Sequence, residues 1–153
     1  MVKAWRIVAA ILVGVPTLIA AGVLIAWMPL PSALDVQWSG TEVTNTQPLW
    51  AFFIPVVLLT AVGLVLAVTA AIDRDRGAAH KGTLFTAALL TAVSAGVGVA
   101  LIAINLGHAE PTGPAILGAI AFAPIYALLP LYVVALAARR DGQVTPAPTS
   151  PRR

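Results

Sequence analysis

LWAFFIPVVLLTAVGLVLAVTAAI, Leu49–Ile72, runs for 24 residues without one ionisable side chain. At 1.5 Å of rise per residue, about 20 apolar residues cross a hydrocarbon core of roughly 30 Å. This run therefore spans a bilayer as a single helix. Working outward, the runs 7–28, 84–106 and 115–138 meet the same length and also lack an ionised group. Composition agrees: 59% of the 153 residues are hydrophobic and 10% are charged, with a mean hydropathy of +0.94. A soluble domain needs far more polar surface than that. The expected fold is an all-α integral membrane protein, with four transmembrane helices in an antiparallel bundle and a structured outer loop between helices 1 and 2.

The charges orient the bundle. Lys3 and Arg6 precede the first span, Arg74, Arg76 and Lys81 lie between the second and third, and Arg139, Arg140, Arg152 and Arg153 follow the fourth. The loops 29–48 and 107–114 hold no basic residue, only Asp35, Glu42 and Glu110. By the positive-inside bias, segments 1–6, 73–83 and 139–153 face the cytoplasm of a cell whose plasma membrane the chain crosses. The first run is longer than a signal-peptide core and no small-x-small site closes it, so it reads as an uncleaved span. A net charge of +3 set beside apolar spans points to anionic lipid headgroups at the basic cytoplasmic segments, not to nucleic acid.

Between the first two spans lies the longest polar interval, 29–48. Pro29 and Pro31 block helix continuation. Leu34, Val36 and Trp38 alternate with Asp35 and Gln37, the period of an extended segment, and Ser39-Gly40 signals a turn. Leu30, Pro31, Leu34 and Trp38 read as residues that fold the loop back onto the bundle as a lid.

Within the spans, Pro16 predicts a kink around residues 12–16, and Pro55, Pro124 and Pro130 interrupt the second and fourth helices. Trp5, Trp27 and Trp50 stand at span ends, where an indole keeps its ring in apolar surroundings and its N–H in water. The third span repeats small residues every fourth position, at Ala88, Ala92, Gly96 and Ala100. Lipid supplies no hydrophobic drive between helices, so such a ridge works by letting backbones approach. Ala115, Ala119 and Ala123 repeat the device on the fourth span. Thr91, Ser94, Tyr126 and Tyr132 read as hydroxyl packing glue, and a homo-oligomer is a further expected partner. The tail 139–153 begins with Arg139-Arg140, which should stop the helix at the headgroups, and its Pro/Thr/Ser-rich remainder reads as disordered.

Nothing in this pattern resembles a catalytic constellation. Cysteine is absent, which removes thiol nucleophiles, thiolate metal sites and disulfides. Coupled transport usually leaves an ionisable residue inside a span, and none occurs there. His80 and His108 fall on opposite faces of the membrane. Asp73 and Asp75 alternate with Arg74 and Arg76, which oppose cation binding, and His108, Glu110, Asp35 and Glu42 lack metal-ligand spacing. The expectation is a non-enzymatic protein with no cofactor and no metal.

The run Leu30-Pro31-Ser32-Ala33-Leu34-Asp35-Val36-Gln37-Trp38-Ser39-Gly40, followed by Gln47-Pro48-Leu49-Trp50, resembles the loop of the bacterial membrane family called domain of unknown function 1648. That pattern is Leu-Pro-x-x-hydrophobic-x-x-His-aromatic between two helices, with Gln37 standing where the family has histidine. The likeness covers about residues 7–72, leaving the hairpin 84–138 as an appended part. It implies an interaction loop of Leu30, Pro31, Leu34, Gln37, Trp38 and Gly40. Because this domain opens proteins similar to the sporulation-delaying-toxin immunity family, it also implies a sensing, immunity or accessory role with a protein or peptide partner outside the cell. Gln37 neither titrates nor ligates zinc well, so a role that needs the histidine is not implied. The competing expectation is a small transporter or channel subunit acting as an oligomer, since broken helices expose backbone at binding sites.

Overall fold

A computed structural model describes residues 2–39, 42–72, 77–110 and 115–143. In lipid, backbone polar groups must be satisfied within the segment, so each apolar run closes its own hydrogen bonds as a helix. These are α1 (Val2–Ala26), α2 (Leu49–Ile72), α3 (Gly77–Asn105) and α4 (Ala115–Gln143), with strands β1 (Ala33–Ser39) and β2 (Glu42–Pro48) between α1 and α2. All four helices are long and apolar enough to cross a membrane.

The limits of α2 are those of its apolar run. The other three helices continue past theirs at the end away from the strands. Residues 77–83 of the expected inner loop belong to α3, and Arg139-Arg140 lies inside α4 instead of ending it. A helix needs only successive backbone bonds, which continue past the end of an apolar run whatever the side chains are. At the strand end α3 stops sharply. Gly107 adopts φ +73°, His108 N–H bonds Ala103 C=O at 2.8 Å and Gly107 N–H bonds Ile104 C=O at 3.0 Å. This is a Schellman cap, and its left-handed position suits a residue without Cβ. The expected loop residues Asp73–Arg76, the turn residues Gly40 and Thr41, and the tail from 144 onward lie outside the described residues.

Helix α3 is the centre of the bundle. It packs against α1, α2 and α4, whereas α2 and α4 share no contact among the described residues. Of its apolar span 61% is buried, against 11–17% in the other three, whose outer faces leave Ile, Leu, Val and Phe exposed. One core cluster joins Ala9 and Val13 of α1, Ala67 and Ala70 of α2, Leu84, Ala87 and Ala88 of α3, and Ala127 of α4. Small residues dominate it, as close packing without a hydrophobic drive requires.

The outer segment is more than one extended piece. β1 and β2 form an antiparallel hairpin whose partners include Ala33 with Pro48, Leu34 with Gln47 and Asp35 with Thr46, with irregularities on either side of Gln37. Leu49 N–H bonds Ser32 C=O at 2.9 Å and closes the base of the hairpin directly onto α2.

Candidate functional site

The hairpin sits on the bundle through one strand. Leu34 is fully buried with Leu101 and Ile102 of α3, and Leu24, Trp27, Leu30, Val36, Trp38, Phe52, Phe53 and Ile116 pack around them. These residues come from both strand flanks and from all four helices, so the apolar alternation of β1 is a lid seated on the bundle end. The candidate loop residues divide accordingly: Leu34 is buried, Leu30, Pro31 and Trp38 are half-buried, and Gln37 is exposed. Gly40 lies outside the described residues.

Asn105, the last residue of α3, holds the lid by its backbone. Its Oδ1 accepts Asp35 N–H at 2.7 Å, while its Nδ2 donates to Asp35 C=O at 3.0 Å and to Leu101 C=O at 2.9 Å. Both backbone groups of Asp35 thus face Asn105 and not β2, which makes Asp35 and Thr46 a non-hydrogen-bonded pair. Pro48 opposite Ala33 occupies the same kind of position, where the ladder needs no N–H. Across the Asp35 pair, Thr46 Oγ1 donates to Asp35 Oδ1 at 2.7 Å.

Strand β2 behaves differently. Every residue from Glu42 to Pro48 is exposed, and the pairing pattern turns the N–H and C=O of Thr46 to the outer edge. Asn105 occupies the β1 edge at Asp35 much as a third strand would. The β2 edge has no such cover among the described residues.

Beneath the lid, hydroxyls join the helices at the level of Pro16. Proline has no N–H for the carbonyl four residues earlier, which is Leu12. Tyr126 Oη of α4 donates to that Leu12 C=O at 2.5 Å, and Thr91 Oγ1 of α3 lies 2.8 Å from the next carbonyl, Val13 C=O. Thr91 Oγ1 is also 3.1 Å from the carbonyls of Ala87 and Ala88. Thr17 Oγ1, whose own back-bonding acceptor would be Val13 C=O, is buried without a hydrogen-bond partner among the described residues. On the other side of α3, Ser94 Oγ and Thr60 Oγ1 of α2 lie 2.9 Å apart.

Two glycines set the seams. A Cβ on Gly63 would stand 2.7 Å from Thr91 Cγ2 and 3.0 Å from Ala87 C=O, and one on Gly96 would stand 3.0 Å from Ala119 Cβ. The ridge residues Ala88, Ala92 and Ala100 are buried, and Gly96 meets the Ala119 ridge of α4. Between α1, α3 and α4 the same small residues leave an apolar groove of about 380 Å³, bordered by Pro16, Ala20, Ala92, Gly96, Ala119 and Phe122. Its one hydroxyl is that of Tyr126, already given to Leu12. Gly63 and Asn105 escape a reading of apolar runs, because neither belongs to a repeat and their partners come from distant segments.

His80 lies at the start of α3 and His108 just past its end, where its ring meets that of Trp27 at a tilt of 41° with centroids 5.3 Å apart. No three His, Asp or Glu side chains gather as a metal-binding group among the described residues. Asp35, Glu42 and Glu110 are at the hairpin end, and Arg6, Lys81 and Arg139 are at the opposite end, where α4 also carries Asp141. The four apolar helices fit a multi-pass membrane protein. The chain matches no protein-family model, no curated protein and no solved structure.

Proposed function

We propose that this chain is a non-enzymatic, multi-pass protein of the plasma membrane that takes an extended protein or peptide segment on its outer hairpin, in a sensing, immunity or accessory role. The observation that carries the reading is the division between two strands. β1 is committed to the bundle through Leu34 and Asn105, while β2 is exposed along its length with an open edge at Thr46. An open edge is a template for strand addition, where main-chain bonds give affinity and alternate side chains give specificity. The likeness of residues 30–50 to the loop of domain of unknown function 1648, and through it to toxin-immunity proteins, supports the same role. Segregation of Arg6, Lys81 and Arg139 from Asp35, Glu42 and Glu110 supports cytoplasmic termini and an outward hairpin.

The transporter or channel-subunit reading draws on the prolines of α1, α2 and α4. At α1 the carbonyl that Pro16 frees is consumed inside the bundle by Tyr126, which removes the exposed backbone such a site would use.

The test places a photoreactive residue at Thr44 on β2 and, separately, at Trp38 on β1, in native membranes. The expected result is one dominant polypeptide captured from position 44 and only self-crosslinks from position 38. A second arm adds Thr46→Pro, which deletes the outward N–H and should abolish capture. Self-crosslinks alone from position 44, or capture unaffected by Thr46→Pro, would sink the reading.

A further inference from the structure

At the end of the bundle opposite the hairpin, α1, α3 and α4 enclose a second cavity of about 150 Å³, lined by Trp5, Arg6, His80, Lys81, Val134 and Ala137 together with Ala138. That is well above the roughly 10–15 Å³ that one water needs. Two different helices each deliver a cation to it, Arg6 from α1 and Lys81 from α3, with the imidazole of His80 beside them. The lining itself contains no carboxylate among the described residues. The rest of the lining is apolar: the Trp5 ring, Val134 and two alanines of α4.

We propose that this cavity is a binding site for the phosphate of an anionic membrane lipid. The Arg6 guanidinium and Lys81 ammonium carry the oxyanion, and the apolar wall takes the glycerol and upper acyl carbons. A guanidinium has five N–H donors in a fork that fits phosphate oxygens while serving other acceptors. Lys81 is exposed and supplies a mobile point charge. The place of the cavity in the fold selects the source of the phosphate. Trp5 marks the level where the apolar run begins, so the cavity straddles the boundary between headgroups and hydrocarbon. A free phosphate ion gains nothing from Val134 and Ala137, whereas a lipid presents both a charged head and an apolar body. Basic pockets between spans are a recurrent way to hold phosphorylated headgroups.

The test is native mass spectrometry of the purified full chain in detergent, titrated with dioleoyl phosphatidylglycerol or with dioleoyl phosphatidylcholine. The unmodified protein should retain the anionic lipid and not the zwitterionic one. An Arg6→Ala, Lys81→Ala double variant should lose retention of phosphatidylglycerol by roughly 10- to 30-fold. Arg6→Lys with Lys81→Arg, which keeps the charge, should retain most of it. Arg139→Ala removes an exposed cation outside the cavity and should change little. Equal retention of both lipids by the unmodified protein would overturn the proposal, and that readout needs no variant to fold. An Arg139→Ala loss as large as that of the double variant would overturn it too, since general surface attraction would then suffice. Displacement of the lipid by millimolar inorganic phosphate would overturn the lipid as the source.

Discussion

The hydroxyl of Tyr126 donates to the carbonyl of Leu12 at 2.5 Å, and that carbonyl is available because Pro16 has no N–H to offer it. A gap in one helix is thus closed by a side chain of another. Hydrogen bonds between helices in membranes contribute about 0.6 kcal/mol on average and at most about 1.7. Tyr126→Phe should therefore cost about 1 kcal/mol, measured by reversible unfolding in mixed micelles. On a Pro16→Ala background, where the residue at 16 again supplies the N–H, the same change should cost close to nothing. Equal costs in both backgrounds would show that Tyr126 does not serve this carbonyl.

Gly63 makes the second prediction. A methyl there meets Thr91 Cγ2 at 2.7 Å and the Ala87 carbonyl at 3.0 Å, and a backbone oxygen in a central helix does not step aside. Gly63→Ala should destabilise the bundle by about 1–3 kcal/mol through overpacking. Gly22, where a methyl group would meet nothing within 4 Å, is the control. Gly22→Ala should be tolerated in the same unfolding assay.

Asn105 supplies the third. Replacing it with Ala leaves both backbone groups of Asp35 without their partner, a cost of about 1–3 kcal/mol for each group left unsatisfied where water cannot reach it. Partial access of water to Asp35 lowers the loss in global stability, so the sharper readout is local. Amide exchange at Asp35 should accelerate while the amides of α3 between Ala87 and Ala100 keep their protection. Unchanged exchange at Asp35 would mean that the lid is held by its apolar face alone.

That apolar face is the subject of the fourth. Leu34 is fully buried, and Leu34→Ala should cost about 2–5 kcal/mol, toward the low end if the hairpin settles into the space. Val43 on β2 is 47% exposed, and Val43→Ala should stay within about 0.5 kcal/mol. Thermal unfolding of the two variants side by side checks both, and similar losses would contradict the inequality of the strands.

The four spans are legible in the sequence because bilayer thickness imposes a length that soluble helices need not obey. The limits of α2 are readable to the residue, since Pro48 and the polar loop bound one end. β1 announces itself by alternation at Leu34, Val36 and Trp38, which face the bundle on every second position. β2 does not, because EVTNTQP buries neither face and so carries no period. The ridge from Ala88 to Ala100 is visible as a repeat. Its complement Gly63 is a single residue whose meaning comes only from the helix it meets. Asn105 is equally silent, since its acceptor and donor are backbone groups 70 positions away.

The central place of α3 bears on how the chain is made. Helices α1 and α2 leave the ribosome first, yet the surface that both pack against does not exist until Gly77–Asn105 has been synthesised. Until then α1 and α2 have only each other to pack against, and the Leu12 carbonyl stays unanswered until α4 brings Tyr126. An assembly factor that shields α1 during that interval would be guarding a polar gap that the finished protein no longer has.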